Sequence, residues 1–423
     1  MLNKVIIGRD KWDIEKFGDK GTGFIGKCYV GEKGEARLTV PVYLDLARPH
    51  VIGIFGKRGT GKSYTLGTLV EEIINLPEEI KENIAVVVID TMGIFWSMKN
   101  PNERDFKALM RWNLHPRAMP VEVLVPYGLE NKYRDDEIPY DGLFSFTCSE
   151  LMPEDWMFAF GIDEMSEHGT YLERVVSALK ERRMHYEIND IIEEIRNYDM
   201  PEYIKNYLIN KFYLAKSWGV FTLKGTEIKD LVQPGKVVIL DVSLLGSFSL
   251  GWNVRTLIVG LLARKILFER MKARRKEEME SLRGFERSFM PITWMLIDEA
   301  HQFLPAEGKT AATEPLLQWV KIGREPGVSL VLATQQPNKL HEAAISQMDV
   351  VISHRLTARN DIEALKNIMQ TYLRHDLGYY LDSLPRVKGA AIILDDNSER
   401  IYAVQMRPRI SWHAGGSPTA IKE

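Results

Sequence analysis

The sequence predicts an α/β protein built on a largely parallel sheet with covering helices, and three observations carry that expectation. Short apolar runs recur along the chain: Val51–Phe55, Ala85–Asp90, Val121–Val125, Val237–Val242, Ile292–Asp298, Val328–Thr334, Val350–Leu356, Ala390–Leu394 and Ile401–Met406. Most are continuous rather than alternating, as strands buried on both faces must be. Helical stretches separate them, which is the order that places helices over a parallel sheet. Finally, the glycine-rich turn "GKRGTGKS" stands between the first of these strands and a helical run from Ser63 to Ile74.

Taken in order, residues 1–48 are glycine-punctuated and of mixed charge, and Phe24–Val30 with Ala36–Leu44 suggest a small β subdomain. Residues 49–410 carry the sheet and its helices. Within them residues 127–235 are mostly helical and polar, with stretches such as "TYLERVVSALKERR" and "INDIIEEIRNY", and read as an insertion between core strands. A long helix from Val254 to about Glu280 carries Lys272, Arg274, Arg275 and Lys276, a cluster better explained as a solvated helix end than as a DNA contact. Residues 411–423 form a tail.

Composition narrows the class. With 423 residues and 45% hydrophobic content the chain can bury a large core. No run reaches the roughly 18 uncharged apolar residues of a membrane span, and the opening Met1-Leu2-Asn3-Lys4 lacks a signal-peptide apolar region. A cytoplasmic location and no stable membrane insertion are therefore expected. The two cysteines, Cys28 and Cys148, are far apart with no metal-ligand spacing and read as reduced packing residues. A formal charge of -3 excludes a generally basic nucleic-acid binder, so any such contact must be a local basic surface.

The glycine turn names a ligand class. Gly56, Gly61, Lys62 and Ser63 satisfy G-x-x-x-x-G-K-[ST], with strand and helix in the required places. Backbone N–H groups of Gly56, Gly59, Thr60, Gly61, Lys62, Ser63 and Tyr64 would cradle the phosphates of ATP at a helix N-terminus, whose dipole favours negative charge. Lys62 would span the β- and γ-phosphates, and the Ser63 hydroxyl would complete a Mg²⁺ shell.

Two more stations follow. In "ITWMLIDEAHQFLP" a buried strand ends in Asp298-Glu299, at the carboxyl edge where open α/β sheets bind ligands. Asp298 would hold Mg²⁺, through water, and Glu299 would orient or deprotonate the attacking water. In "GREPGVSLVLATQQP" the strand ends at Thr334 and Gln335, and Gln335 is a candidate γ-phosphate sensor. Arg324 sits at the other end of that strand, roughly 20 Å away, too far to serve its own site. It is a candidate arginine finger for a neighbouring subunit. The order of the three motifs predicts a RecA-like P-loop core with Lys62, Ser63, Asp298, Glu299 and Gln335 at one sheet edge.

With these motifs the chain resembles the HerA branch of the HerA/FtsK superfamily. The similarity covers the lead-in "PVYLDLARPHVIGIFGK", the phosphate loop, "IDEAHQFLP", "GREPGVSLVLATQQP", "HRLTARNDIEAL" and the closing "RPRISWHAGGSP". The resemblance implies a homohexamer that threads double-stranded DNA in repair, end resection or recombination, beside a nuclease such as NurA. It assigns the phosphate-loop pair to Lys62 and Ser63, the acidic pair to Asp298 and Glu299, the finger to Arg324 and the sensor to Gln335. It also implies that the tail crosses to the next subunit. Three features depart from the family pattern: Ile94 stands at an acidic position in "VIDTMGIFW", Gln336 replaces an arginine, and the N-terminal β segment is short. A secretion or conjugation pumping ATPase and a nucleotide-switched assembly factor stay open beside the translocase.

Overall fold

The computed structural model describes residues 4–30, 37–247, 251–285, 288–366 and 377–416. Their strands are β1 (Val5–Ile7), β2 (Thr22–Val30), β3 (Arg37–Asp45), β4 (Val51–Phe55), β5 (Ile84–Asp90), β6 (Val121–Pro126), β7 (Gly142–Phe144), β8 (Val237–Asp241), β9 (Ile292–Ile297), β10 (Val328–Thr334), β11 (Val350–His354), β12 (Ala390–Asp395) and β13 (Arg400–Met406). They form one sheet in the order β1-β3-β2-β13-β12-β11-β4-β10-β9-β5-β8-β6-β7.

From β11 to β7 every neighbouring pair is parallel. The β-branched run of β5 shows why. Ile84, Val86 and Val88 pack into one core while Ala85, Val87 and Ile89 pack into the other, so both faces are apolar and both are covered. Three-residue β1 and β7 and the helix Lys11–Phe17 are additions to the sequence reading. The N-terminal strands extend the central sheet, because β2 pairs antiparallel with β13 through Val404↔Cys28 and Met406↔Gly26. Here a side chain on Gly26 would meet the Gln405 carbonyl oxygen at 2.4 Å, so close strand approach demands glycine.

The insertion is helical, with Pro153–Phe160, Glu167–Arg182, Ile188–Asn197 and Glu202–Ser217 packed on one another. Its centre is aromatic: Trp156 stacks on Phe160 at 5.5 Å between ring centres and meets Phe212 edge-on at 5.0 Å. The long helix spans Gly251–Leu282, and two members of its basic cluster are engaged along its own face, Lys272 with Glu269 at 2.9 Å and Arg274 with Glu278. Both cysteines are free and buried, and burial pushes the Cys28 thiol up to about 11.

After β13 the chain runs as a strap across the phosphate-loop helix (Lys62–Ile74). The fully buried Glu71 carboxylate accepts Arg407 Nη1 at 2.7 Å, Ser411 N at 2.9 Å and Ser411 Oγ at 2.6 Å. Arg407 also holds Glu72 at 2.6 Å. The strap lies so close that a side chain on Gly67 would meet the Arg409 guanidinium at 2.5 Å. Residues 411–416 continue over the same chain, with Trp412 N donating to Asn100 O at 2.7 Å and Ala414 N to Ser97 Oγ at 3.2 Å. Residues 417–423 of the tail lie outside the described residues.

Candidate active site

Three parallel strands and their following turns assemble the site. Strand β4 lies between β10 and β11, and β9 is the next strand beyond β10. Parallel pairing sends the phosphate loop, Asp298-Glu299 and Thr334-Gln335 out at the same edge. Gly59 and Gly61 take φ of 78° and 123°, in the region that glycine enters without steric cost. A side chain on Gly56 would strike Thr60 Oγ1 at 2.6 Å and His354 Cβ at 2.7 Å. The loop is anchored from outside: Lys57 N donates to Arg355 O at 3.1 Å, and Gly389 N donates to Thr60 O at 3.1 Å.

Ser63 Oγ donates to Asp298 Oδ2 at 2.6 Å. Burial raises the Asp298 carboxyl above its ordinary value, assisted by the Glu299 charge and opposed by the Ser63 hydrogen bond. Burial lowers the Lys62 ammonium, while Asp298 and Glu299 pull it back up. A bare backbone cradle beside a buried lysine, and a hydroxyl paired with a carboxylate, form a donor set that fits a nucleotide phosphate and Mg²⁺. Ser63 and Asp298 are the residues that would hold the ion.

Glu299 has φ 51° and ψ 45°, left-handed for a residue with a side chain. Its Oε1 accepts from Gln335 Nε2 at 2.5 Å. Tyr64 is committed elsewhere: its phenol accepts from Arg409 N at 2.7 Å, so only its backbone is left to serve the loop. Arg324 is exposed in the turn between the helix Thr313–Ile322 and β10, at the opposite edge of the sheet. Among the described residues it has no carboxylate partner, and Glu314 pairs with Lys309 at 3.1 Å instead.

Sequence reasoning missed two histidines here. His354, wholly buried at the end of β11, receives the Thr65 hydroxyl on Nε2 at 2.9 Å and donates from Nδ1 to Ala390 O at 3.1 Å. Burial lowers its pKa to about 4, so the ring is neutral. His301 stands 3.6 Å from Glu299 Oε2 and 2.8 Å from Thr334 Oγ1. Asp90 does not face the loop. Its carboxylate accepts the N–H groups of Gly93, Ile94 and Phe95 at 2.8, 2.8 and 2.7 Å, so at Ile94 the backbone rather than an acid serves this turn. Burial, followed by the Asp241 charge, pushes Asp90 up to about 7.

A phosphate cradle, a serine–aspartate pair and a glutamate at the carboxyl edge of a RecA-like sheet define a P-loop ATPase. The family model described as "Helicase HerA, central domain" matches residues 24–266, and the chain belongs to that family. It is 27% identical to the DNA double-strand break repair helicase HerA of Saccharolobus solfataricus over 81% of this chain and 61% of that one. It is 23% identical to a probable helicase of Methanocaldococcus jannaschii over 76% of this chain and 60% of that one. It thus spans about three fifths of these relatives' length. Among solved structures, VirB4 of Thermoanaerobacter pseudethanolicus shares the fold with a TM-score of 0.58 at 13% identity, covering 92% of this chain and 98% of that chain. The bacterial conjugative coupling protein TrwB does so with a TM-score of 0.51 at 11% identity, covering 95% and 99%.

Proposed function

We propose that this protein is an ATP-driven translocase or helicase that threads double-stranded DNA through a homohexameric ring, in repair, end resection or recombination in the cytoplasm. The observation that carries the reading is the split of the catalytic set. Lys62, Ser63, Asp298, Glu299 and Gln335 stand at one sheet edge, while Arg324 is exposed at the other with no carboxylate partner among the described residues. A finger so placed serves a neighbour, and a site completed by a neighbour belongs to a ring. The core, residues 49–410 with their insertion at 127–235, carries that site, with residues 1–48 extending its sheet and the tail at 411–423.

In each turnover Lys62 and the loop N–H groups bind the triphosphate, and Ser63 and Asp298 would hold a Mg²⁺ ion, which would supply charge screening. Glu299 takes the proton of the attacking water. Gln335 reads the γ-phosphate, and the neighbour's Arg324 neutralises charge in the transition state. A nuclease such as NurA is the partner class this reading implies. Among the described residues no helix is long and apolar enough to cross a membrane.

The test is ATP turnover with and without duplex DNA, followed by displacement of a bound roadblock. Stimulation by any duplex sequence, falling steeply with salt, is expected because phosphate contacts carry no sequence information. Turnover indifferent to DNA overturns the reading in favour of a switch. Stimulation by a protein substrate at a membrane favours a secretion motor.

A further inference from the structure

We propose that His301 and Thr334 act as a positioning pair for Glu299, so that the neighbouring strand β10, through this pair and Gln335, sets the orientation of the catalytic carboxylate. The inference rests on the reading of Glu299 as the base.

Glu299 occupies a backbone conformation that surroundings must enforce, since φ of 51° costs energy for any residue with a Cβ. One oxygen looks to a side chain just past the end of β10, the other to the turn that follows β9. Oε1 accepts from Gln335, and Oε2 faces His301 Nδ1 at 3.6 Å. The imidazole is itself seated on β10, with Nδ1 at 2.8 Å from Thr334 Oγ1. Thr334 Oγ1 also accepts the Gln336 N–H at 3.0 Å and keeps a second lone pair for the ring. With its proton on Nδ1 the ring would share it between Thr334 Oγ1 and Glu299 Oε2, the arrangement in which it can hold the carboxylate. Burial and then the Lys339 charge lower its pKa, which favours the neutral ring. The β9–β10 pairing, in register to Ile297↔Leu332, holds the two strand ends together. A cap of the turn Ala300–Gln302 would explain a histidine here without any role in turnover. It would not explain why the ring's partner is the strand that also carries Gln335.

The experiment is steady-state ATP hydrolysis by the full chain, with binding of a non-hydrolysable ATP analogue and thermal unfolding as controls. Thr334→Val keeps the shape and removes the hydroxyl, Thr334→Ser keeps the hydroxyl, and His301→Asn and His301→Ala alter the ring's place. Thr334→Val and His301→Ala are each expected to lower kcat about tenfold with KM for ATP within about twofold, since a misplaced base slows chemistry without weakening binding. The double variant should be no slower than either single one, and Thr334→Ser should stay close to wild type. Full kcat in both Thr334→Val and His301→Asn, a rise in KM alone, or additive losses overturn the proposal. Glu299→Gln separates it from the reading beneath. If that variant stalls while His301→Ala is fully active, only the positioning pair fails. If Glu299→Gln hydrolyses at near wild-type rate, the base assignment fails and the pair falls with it.

Discussion

Replacing Glu71 by alanine tests what the strap contributes to the phosphate-loop helix. The carboxylate is fully buried and accepts Arg407 Nη1, Ile410 N, Ser411 N and Ser411 Oγ between 2.6 and 3.2 Å. Without it, Arg407 retains Glu72, but Arg409, whose Nε lies 3.5 Å from Glu71 and has no hydrogen-bond partner, becomes a buried cation with no carboxylate beside it. Breaking a buried pair by removing one partner costs about 3–5 kcal/mol. Glu71→Gln keeps the shape and one acceptor oxygen, so its cost should fall to about 1–3 kcal/mol. For cooperative unfolding of 423 residues, an unfolding entropy near 2 cal/mol/K per residue makes about 4 kcal/mol equal to a Tm drop of roughly 4–5 °C. Thermal unfolding followed by circular dichroism reads this directly, and urea midpoints provide a second measure. If alanine and glutamine cost the same, or if alanine lowers Tm by less than about a degree, the buried network is not what holds the strap.

Lys62→Ala should abolish turnover, whereas Glu299→Gln should bind ATP and stall, read by nucleotide retention on the purified protein; rapid hydrolysis by Glu299→Gln would remove it as base. Mixing inactive Lys62→Ala with inactive Arg324→Ala should restore activity at junctions that join an intact pocket to an intact arginine. A finger contributes on the order of a thousandfold, so verified mixed rings with competent isolated junctions that stay inactive would refute the trans role and leave Arg324 acting within its own subunit or only in structure. Stability should also fall on the alkaline side. Burial alone would depress His50, but Asp349 at 2.6 Å and Asp45 at 3.9 Å push it up to about 9, above the ordinary 6.5. That contribution is complete below pH 6.5 and is lost as pH rises through about 9, so Tm should decline across this window and His50→Gln should flatten the decline.

The core strands could be read from sequence because burial on both faces leaves an unbroken apolar run, and Val51–Phe55 and Val328–Thr334 match residue for residue. β1 and β7 could not, since three residues carry no period. The phosphate loop and the Asp298-Glu299 pair were visible because each is local in sequence. His301 and His354 were not. Their partners, Thr334 and Thr65, come from separate elements, and no spacing encodes a strand register. The strap escaped for the same reason: nothing in "RPRIS" points to Glu71, which is 336 residues before Arg407.

The strand order also dictates when during synthesis the phosphate loop can exist. β4 is flanked by β10 and β11, which leave the ribosome nearly 300 residues after it, as Val51↔Leu330 and Ile52↔Val350 show. Until then the loop has neither the carbonyl of Arg355 nor the amide of Gly389 to anchor it. Such distant pairing is slow to close and leaves an apolar strand unpaired meanwhile. Nucleotide capture therefore arrives late and all at once, and a nascent chain that binds ATP has already passed its most aggregation-prone stage.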